Sequence, residues 1–305
     1  MKKIILMTCL VILIPFFIVS IFIKEDSVKF QFVNNTNVRI KRENGTIDVV
    51  PFEDYIVGVL AGEMPANFEL EALKAQALAA RSYVLKKIEQ NNGQEYDVVD
   101  TVMNQVYLDD AKMREKWSNN YEKNLNKIKT AVKETSGEYL TYDGKVIEAF
   151  FFSTSTGKTE NSEEVFQQAL PYLRSVDSSW DSEISPVFNE ISKFSLKDFY
   201  ERLNLDYNEN LKIEIIETTS TGRIKKIKIN NQEFTGNDIY KKFQLRSTYF
   251  EISKSGNYVT IQTKGYGHGV GMSQYGAQAM ALKGYHYDEI VKYYYQGVEI
   301  SKMKV

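Results

Sequence analysis

The chain has 305 residues, 43% hydrophobic and 13% aromatic, with 38 basic against 40 acidic side chains and a net charge of −2. Such length and apolar content allow a sizeable core, and the near-neutral balance excludes the electrostatic footprint of a general nucleic-acid binder. The only cysteine, Cys9, lies in an apolar run, which excludes an intramolecular disulfide and a thiolate metal site outside that run.

Lys2 and Lys3 precede an apolar stretch from Ile4 to Ile23 that ends at Lys24-Glu25-Asp26. About 20 residues span the hydrocarbon layer, and a small-residue cleavage site is missing, so an uncleaved transmembrane helix is expected with its N-terminus in the cytoplasm. A cleaved secretory signal is the alternative. Val38 to Lys41 and Ile47 to Val50 read as a hairpin around Asn44-Gly45. Glu53 to Ala61 reads as a helix that cannot pass Met64 because Pro65 follows, which places Glu63 at a helix C-terminus. A second helix is expected from an Asn67 cap to about Lys87, apolar nearly all the way round and therefore central. On it Lys74 and Arg81 share one face, Gln76 and Tyr83 another, and burying them demands partners. Two cations near a helix-end carboxylate suggest a site, although a solvated helix end is the blander reading.

Asp97 to Tyr107 is an ambiguous extended segment. One helix is expected from about Asp110 to Thr135, packing through Trp117, Tyr121, Leu125, Ile128 and Val132. Gly137 closes it, and strands follow over Glu138 to Thr141 and Lys145 to Ser153 about an Asp143-Gly144 turn. From Ser178 to Gly265 the chain changes character: a helix over Phe194 to Leu203, strands over Lys212 to Glu217, Ile224 to Asn230 and Phe250 to Thr263, and a helix over Asp238 to Leu245. Arg223, Lys225, Lys226 and Lys228 read as a solvated strand face, and no internal repeat is evident. Glycines alternate from Gly265 to Gly271 before a helix from about Ser273 to Leu282, without the spacing of a nucleotide-binding loop. A terminal helix covers Asp288 to Tyr295.

Three strings, AGEMPANFELEALKAQALAARSY, FFSTSTGKTEN and GYGHGVGMSQYGAQAMALKGYHYDEIVKYYYQGVEI, occur in that order. Together they resemble the stage II sporulation protein D family, lytic transglycosylases that cut denuded peptidoglycan strands during engulfment in endospore-forming bacteria. The resemblance implies an α+β chain, a helix-rich catalytic core (26–177 and 266–305) with small β-sheets and an inserted αβ lobe (178–265), preceded by the anchor (1–25). It implies Glu63 as general acid and base, with Lys74, Gln76, Arg81, Ser153, Ser155, His268, Gln274 and Tyr275 around the glycan. The partners implied are the peptidoglycan glycan strand, the membrane, and engulfment proteins including an amidase, without a cofactor and without nucleic acid. The setting implied is the cell membrane, with the catalytic domain facing the wall. Some relatives hold zinc through a histidine and a cysteine near the Ser-Thr run; here Phe152 precedes that run and His268 and His286 are the only histidines, so no zinc site is expected. A non-catalytic module that binds wall glycan or docks an amidase is the competing reading, and a water-using muramidase the runner-up among enzymes.

Overall fold

The computed structural model describes residues 36–101 and 103–303. The expected anchor at 4–23 lies outside them, and no helix of the described residues is long and apolar enough to cross a membrane. The architecture is mixed α and β, with small sheets around a helical core.

Strands β1 (Asn37–Lys41) and β2 (Ile47–Pro51) form the expected hairpin. Helix α1 (Phe52–Glu63) ends because Met64 turns extended ahead of Pro65, whose ring disfavours helix in the preceding residue. Helix α2 (Leu70–Gln90) is buried almost continuously from Ala72 to Val84, as a helix apolar on all sides must be. It starts two residues later than an Asn67 cap would give: Phe68 N–H closes a turn onto the Pro65 carbonyl at 3.0 Å. Its free N-terminal end is satisfied from far along the chain, where Gln278 Oε1 accepts from Glu69 N–H at 2.7 Å.

The ambiguous segment contributes only β3 (Val98–Val99), parallel to β1. The single helix expected next is two, α3 (Asp110–Trp117) and α4 (Tyr121–Glu134), broken where Ser118 takes φ 43° among weak helix formers. All five predicted stripe residues are buried in the main core. After β4 (Glu138–Tyr142) and β5 (Lys145–Val146) the expected long strand gives way to irregular chain, resuming as β6 (Phe151–Phe152).

The lobe contains a repeat that is not evident in the sequence. One unit is β7 (Asn189–Ser195), α5 (Leu196–Leu203), β8 (Ile213–Thr218) and β9 (Ile224–Ile229). The other is β10 (Gln232–Thr235), α6 (Gly236–Phe243), β11 (Phe250–Ser255) and β12 (Tyr258–Lys264). Each unit lends its first strand to the other's hairpin, giving sheet orders β10-β9-β8 and β11-β12-β7. The helices match in detail. Ser195 and Thr235 cap the N–H of Asp198 and Asp238, and left-handed Asn204 and Gln244 end the two helices. Phe199, Ile239, Phe243, Val259 and Ile261 centre a hydrophobic core separate from the main one.

Arg223 corrects another expectation. Instead of facing solvent with its neighbours, it is fully buried between lobe and core, paired with Glu160 at 3.2 Å and donating Nη1–H to the Gly267 carbonyl at 2.9 Å. A Cβ on Gly269 would lie 2.7 Å from that guanidinium, so part of the glycine density makes room for this clasp. The chain then returns through β13 (Met272–Ser273), parallel to β6, into α7 (Gln274–Leu282), α8 (Tyr287–Tyr294) and β14 (Glu299–Lys302), which joins β4.

Candidate active site

Glu63 is the last residue of α1, and α1's own glycines determine what meets it. Gly58 and Gly62 leave a flat strip on which residues 105–108 lie. A Cβ on Gly62 would stand 2.3 Å from the Val106 carbonyl oxygen, and one on Gly58 2.3 Å from the Tyr107 ring. The segment is fastened at both ends: Leu108 N–H donates to the Gly58 carbonyl at 3.1 Å, and Tyr55 Oη–H donates to Gln105 Oε1 at 2.9 Å. Val106 N–H consequently donates to Glu63 Oε1 at 2.6 Å. Replacing Gly62 by Ala is expected to displace the segment and cost about 1–3 kcal/mol by urea denaturation, the range for inserting volume into a packed site.

Burial pushes the Glu63 carboxyl above the ordinary range, opposed by the Val106 N–H, by Gln274 and by the Lys116 ammonium. Its place at a helix C-terminus acts in the same direction as burial, because the dipole there disfavours an anion. Lys116 Nζ donates to the Ala61 carbonyl at 2.7 Å, satisfying an orphan acceptor of α1's last turn. Beside Glu63 is Gln274, the first residue of α7, buried and with its amide nitrogen lacking a hydrogen-bond partner among the described residues. Next to it Tyr275 packs edge-on against Phe68 at 5.0 Å, and its N–H donates to the Ser153 carbonyl at 3.0 Å. Glu63, Gln274, Tyr275 and Ser153 therefore stand in one linked cluster, carried by three distant parts of the chain.

The other residues singled out by sequence are placed differently. Ser155 is buried, with N–H given to Asp181 Oδ2 at 2.7 Å and hydroxyl to the Ser178 carbonyl at 2.7 Å. Arg81 is fully buried and commits its guanidinium to Glu53 at 2.9 Å, the Val132 carbonyl at 2.8 Å and Thr135 Oγ1 at 3.0 Å. Lys74 pairs with Glu71 at 2.8 Å and Glu134 at 2.5 Å. Gln76 is fully buried with both carboxamide atoms unpartnered. His268 packs among Phe150, Phe152 and Phe166, and its Nδ1 accepts from Val270 N–H at 3.1 Å.

A family model described as Stage II sporulation protein matches residues 41–142, a span that takes in Glu63, Val106 and Lys116. Over 264 residues the chain is 43% identical to stage II sporulation protein D of Bacillus subtilis, an alignment covering 85% of this chain and 77% of that one. The chain belongs to the stage II sporulation protein D family. A second member, from Bacillus amyloliquefaciens, is 43% identical over 86% of this chain and 77% of its own. A Bacillus subtilis protein named Amidase enhancer is 31% identical over 80% of this chain and 40% of its own length.

In this member of the stage II sporulation protein D family, sequence reading missed the groups that hold the Ser-Thr run. Asp181 is buried and accepts from Ser155 N–H, Ser178 Oγ at 2.7 Å and Ser273 Oγ. Tyr294 meets Ser178 Oγ at 2.8 Å. Ser178 and Asp181 thus bond to core residues, although the expected boundary begins the lobe at 178. No periodicity marks an isolated Asp in SSWDSE as a core acceptor.

His268 carries a pH prediction. Burial, then the nearby Arg223 charge, pushes its imidazole down to about 4, so it is neutral where an unfolded histidine would begin to charge. The stability this adds is complete above about pH 6.5 and is lost as pH falls toward 4, by up to about 3 kcal/mol at 1.36 kcal/mol per pKa unit. His268→Gln should narrow the difference between melting temperatures at pH 7 and pH 4.5, measured by calorimetry.

Proposed function

We propose that this chain is a membrane-anchored lytic transglycosylase of peptidoglycan glycan strands, acting on the wall-facing side of the cell membrane during spore engulfment. The observation that carries the reading is Glu63 itself, a carboxyl raised by burial at a helix end, with a backbone N–H, an amide and an ammonium acting on it and, among the described residues, no second acid. Hydrolytic glycosidases ordinarily need two carboxylates, one to protonate the leaving oxygen and one to activate water or attack the sugar. A single acid suffices where the nucleophile belongs to the substrate.

In that mechanism Val106 N–H holds Oε1 and leaves Oε2 to carry the proton. Glu63 gives this proton to the oxygen that leaves muramoyl C1 as the C1–O bond breaks. The 6-hydroxyl of the same muramoyl ring then bonds to C1, and its proton passes to Glu63, which is restored. The product is a 1,6-anhydro end, and no water is consumed. Holding nucleophile and leaving group on one bound sugar supplies the proximity that a second reactant would otherwise cost. Gln274, Tyr275 and Ser153 line the approach, where amide and hydroxyl groups can both give and accept hydrogen bonds with sugar.

The relative named Amidase enhancer favours a second reading, a module that binds wall glycan or docks an amidase without cleaving. Incubating the full-length protein with amidase-stripped glycan strands and analysing the ends by mass spectrometry separates the two. Anhydromuramoyl ends are expected; intact strands after prolonged incubation would support the non-catalytic module.

A further inference from the structure

Residues 105–109, which bring the Val106 N–H to Glu63, belong to no helix or strand. Such a segment keeps its place through contacts made from outside it, and Arg42 supplies several. Arg42 directly follows β1, and the hairpin turn fixes its backbone, its N–H being given to the Thr46 carbonyl at 2.8 Å. Its side chain is 11% exposed. The guanidinium reaches both sides of the segment: Nε lies 3.1 Å from Asp100 Oδ2, and Nη2 donates to Asp109 Oδ2 at 2.6 Å. It also stands over the Tyr107 ring, 5.2 Å from the centroid, and that ring stacks on Tyr55 of α1 at 5.5 Å. Asp109 in turn caps α3, accepting from Lys112 N–H at 2.9 Å. One planar fork therefore joins the hairpin, the segment and the start of α3, using two nitrogens where a lysine has a single point charge.

We infer that Arg42 is a positioning residue for Glu63: acting through Asp109 and Tyr107, it holds the Val106 N–H against Oε1 and so leaves Oε2 as the oxygen that carries the proton to the substrate. The role given to Oε2 rests on the transglycosylase reading, whereas the hold on the carboxyl does not. Loosening that hold weakens a donor that favours the charged form, so the proton affinity of Glu63 should rise. The titratable groups that bear on Glu63 are Lys116 on α3, Tyr55 on α1 and Tyr83 on α2, and among the described residues none of them bonds to Arg42.

The test titrates Glu63 directly. Full-length protein is labelled with glutamate carrying carbon-13 at the side-chain carboxyl, and the Glu63 signal is identified by its loss in Glu63→Gln. Arg42→Met removes the fork and is expected to raise the Glu63 midpoint by about one pH unit, a tenfold gain in proton affinity, the scale of one hydrogen bond to a charged group. Asp109→Asn is the milder variant, since asparagine still caps α3, and should raise the affinity about threefold, the pair being partly exposed. The direction is diagnostic: through charge alone, removing an anion would lower the midpoint, so a rise in Asp109→Asn reports position. Arg42→Lys should recover only part of the shift. Arg39→Met is the control. It frees Asp97, which Arg39 Nε meets at 3.2 Å from the same hairpin, and should lower the melting temperature without moving the midpoint.

A midpoint that stays or falls in Asp109→Asn would overturn the assignment and leave Arg42 a structural clamp, whether or not Arg42→Met folds. In cleavage assays the alkaline limb of kcat/KM should move with the midpoint while KM holds. A raised midpoint in a protein that leaves glycan strands intact sinks the transglycosylase reading alone, and an unmoved midpoint in one that cuts them sinks only this inference.

Discussion

Glu63→Gln is expected to lower the rate of glycan cleavage by about 10²–10⁴-fold, the range attributed to a positioned acid and base, while leaving the fold and strand binding intact. The amide keeps an oxygen to accept from Val106 N–H, and its surroundings already include the Gln274 amide and the Lys116 ammonium. What is lost is the proton. In the unmutated protein the first step needs Glu63 protonated, so kcat/KM should hold on the acid side and fall as pH climbs through a value above the ordinary carboxylate range. The residual activity of Glu63→Gln should lack that limb. Lys116→Met should move the limb to higher pH, because the cation opposes the upward push of burial. A Glu63→Gln protein that cleaves within threefold of the unmutated rate would remove Glu63 from the chemistry.

The second large effect is on stability. Arg81→Met is expected to destabilise the protein by about 3–5 kcal/mol in urea, the scale for leaving a buried charge without its partner. Glu53 is 5% exposed, and among the described residues it accepts, besides Arg81, only the Gly137 N–H at 3.1 Å, so methionine leaves its carboxylate stranded. Two further acceptors, the Val132 carbonyl and Thr135 Oγ1, lose a donor in the same substitution. A substrate-binding arginine at this position would behave differently, raising KM with little change in the urea midpoint. The pairing seen here predicts that Glu53→Gln with Arg81→Met is less damaging than Arg81→Met alone, since both buried charges are then removed.

Local chemistry made several parts of this molecule legible. Pro65 fixed where α1 stops, and the absence of a polar face on α2 marked it as the central helix. The Trp117 to Val132 stripe was visible because its spacing follows one helix face, and it stayed on one side even though Ser118 breaks the helix. The site was legible only in part. Glu63 stood out by its place before a proline, but the group that holds it is a backbone N–H, and every residue type offers one. The only trace of that contact is the spacing of Gly58 and Gly62. Arg223, just ahead of β9, was misread because the run of basic residues that continues into β9 is silent on Glu160, which covers it from another part of the chain. The doubled lobe escaped notice because its halves share capping chemistry and two tyrosines, Tyr200 and Tyr240, more than they share sequence. Arg81 looked like a ligand because burying its helix demands a partner, and Ser155 because the resemblance puts the Ser-Thr run on the glycan; the protein itself supplies partners for both.

The origin of the oxygen and proton balance at the cut bond tests the central claim most directly. The full-length protein would be given amidase-stripped strands in heavy-oxygen water and the new ends weighed. Attack by the sugar's own 6-hydroxyl predicts anhydromuramoyl ends, lighter than a reducing end by one water and free of the heavy isotope. Reducing ends carrying heavy oxygen would show water as the nucleophile and contradict the single-acid account built on Glu63.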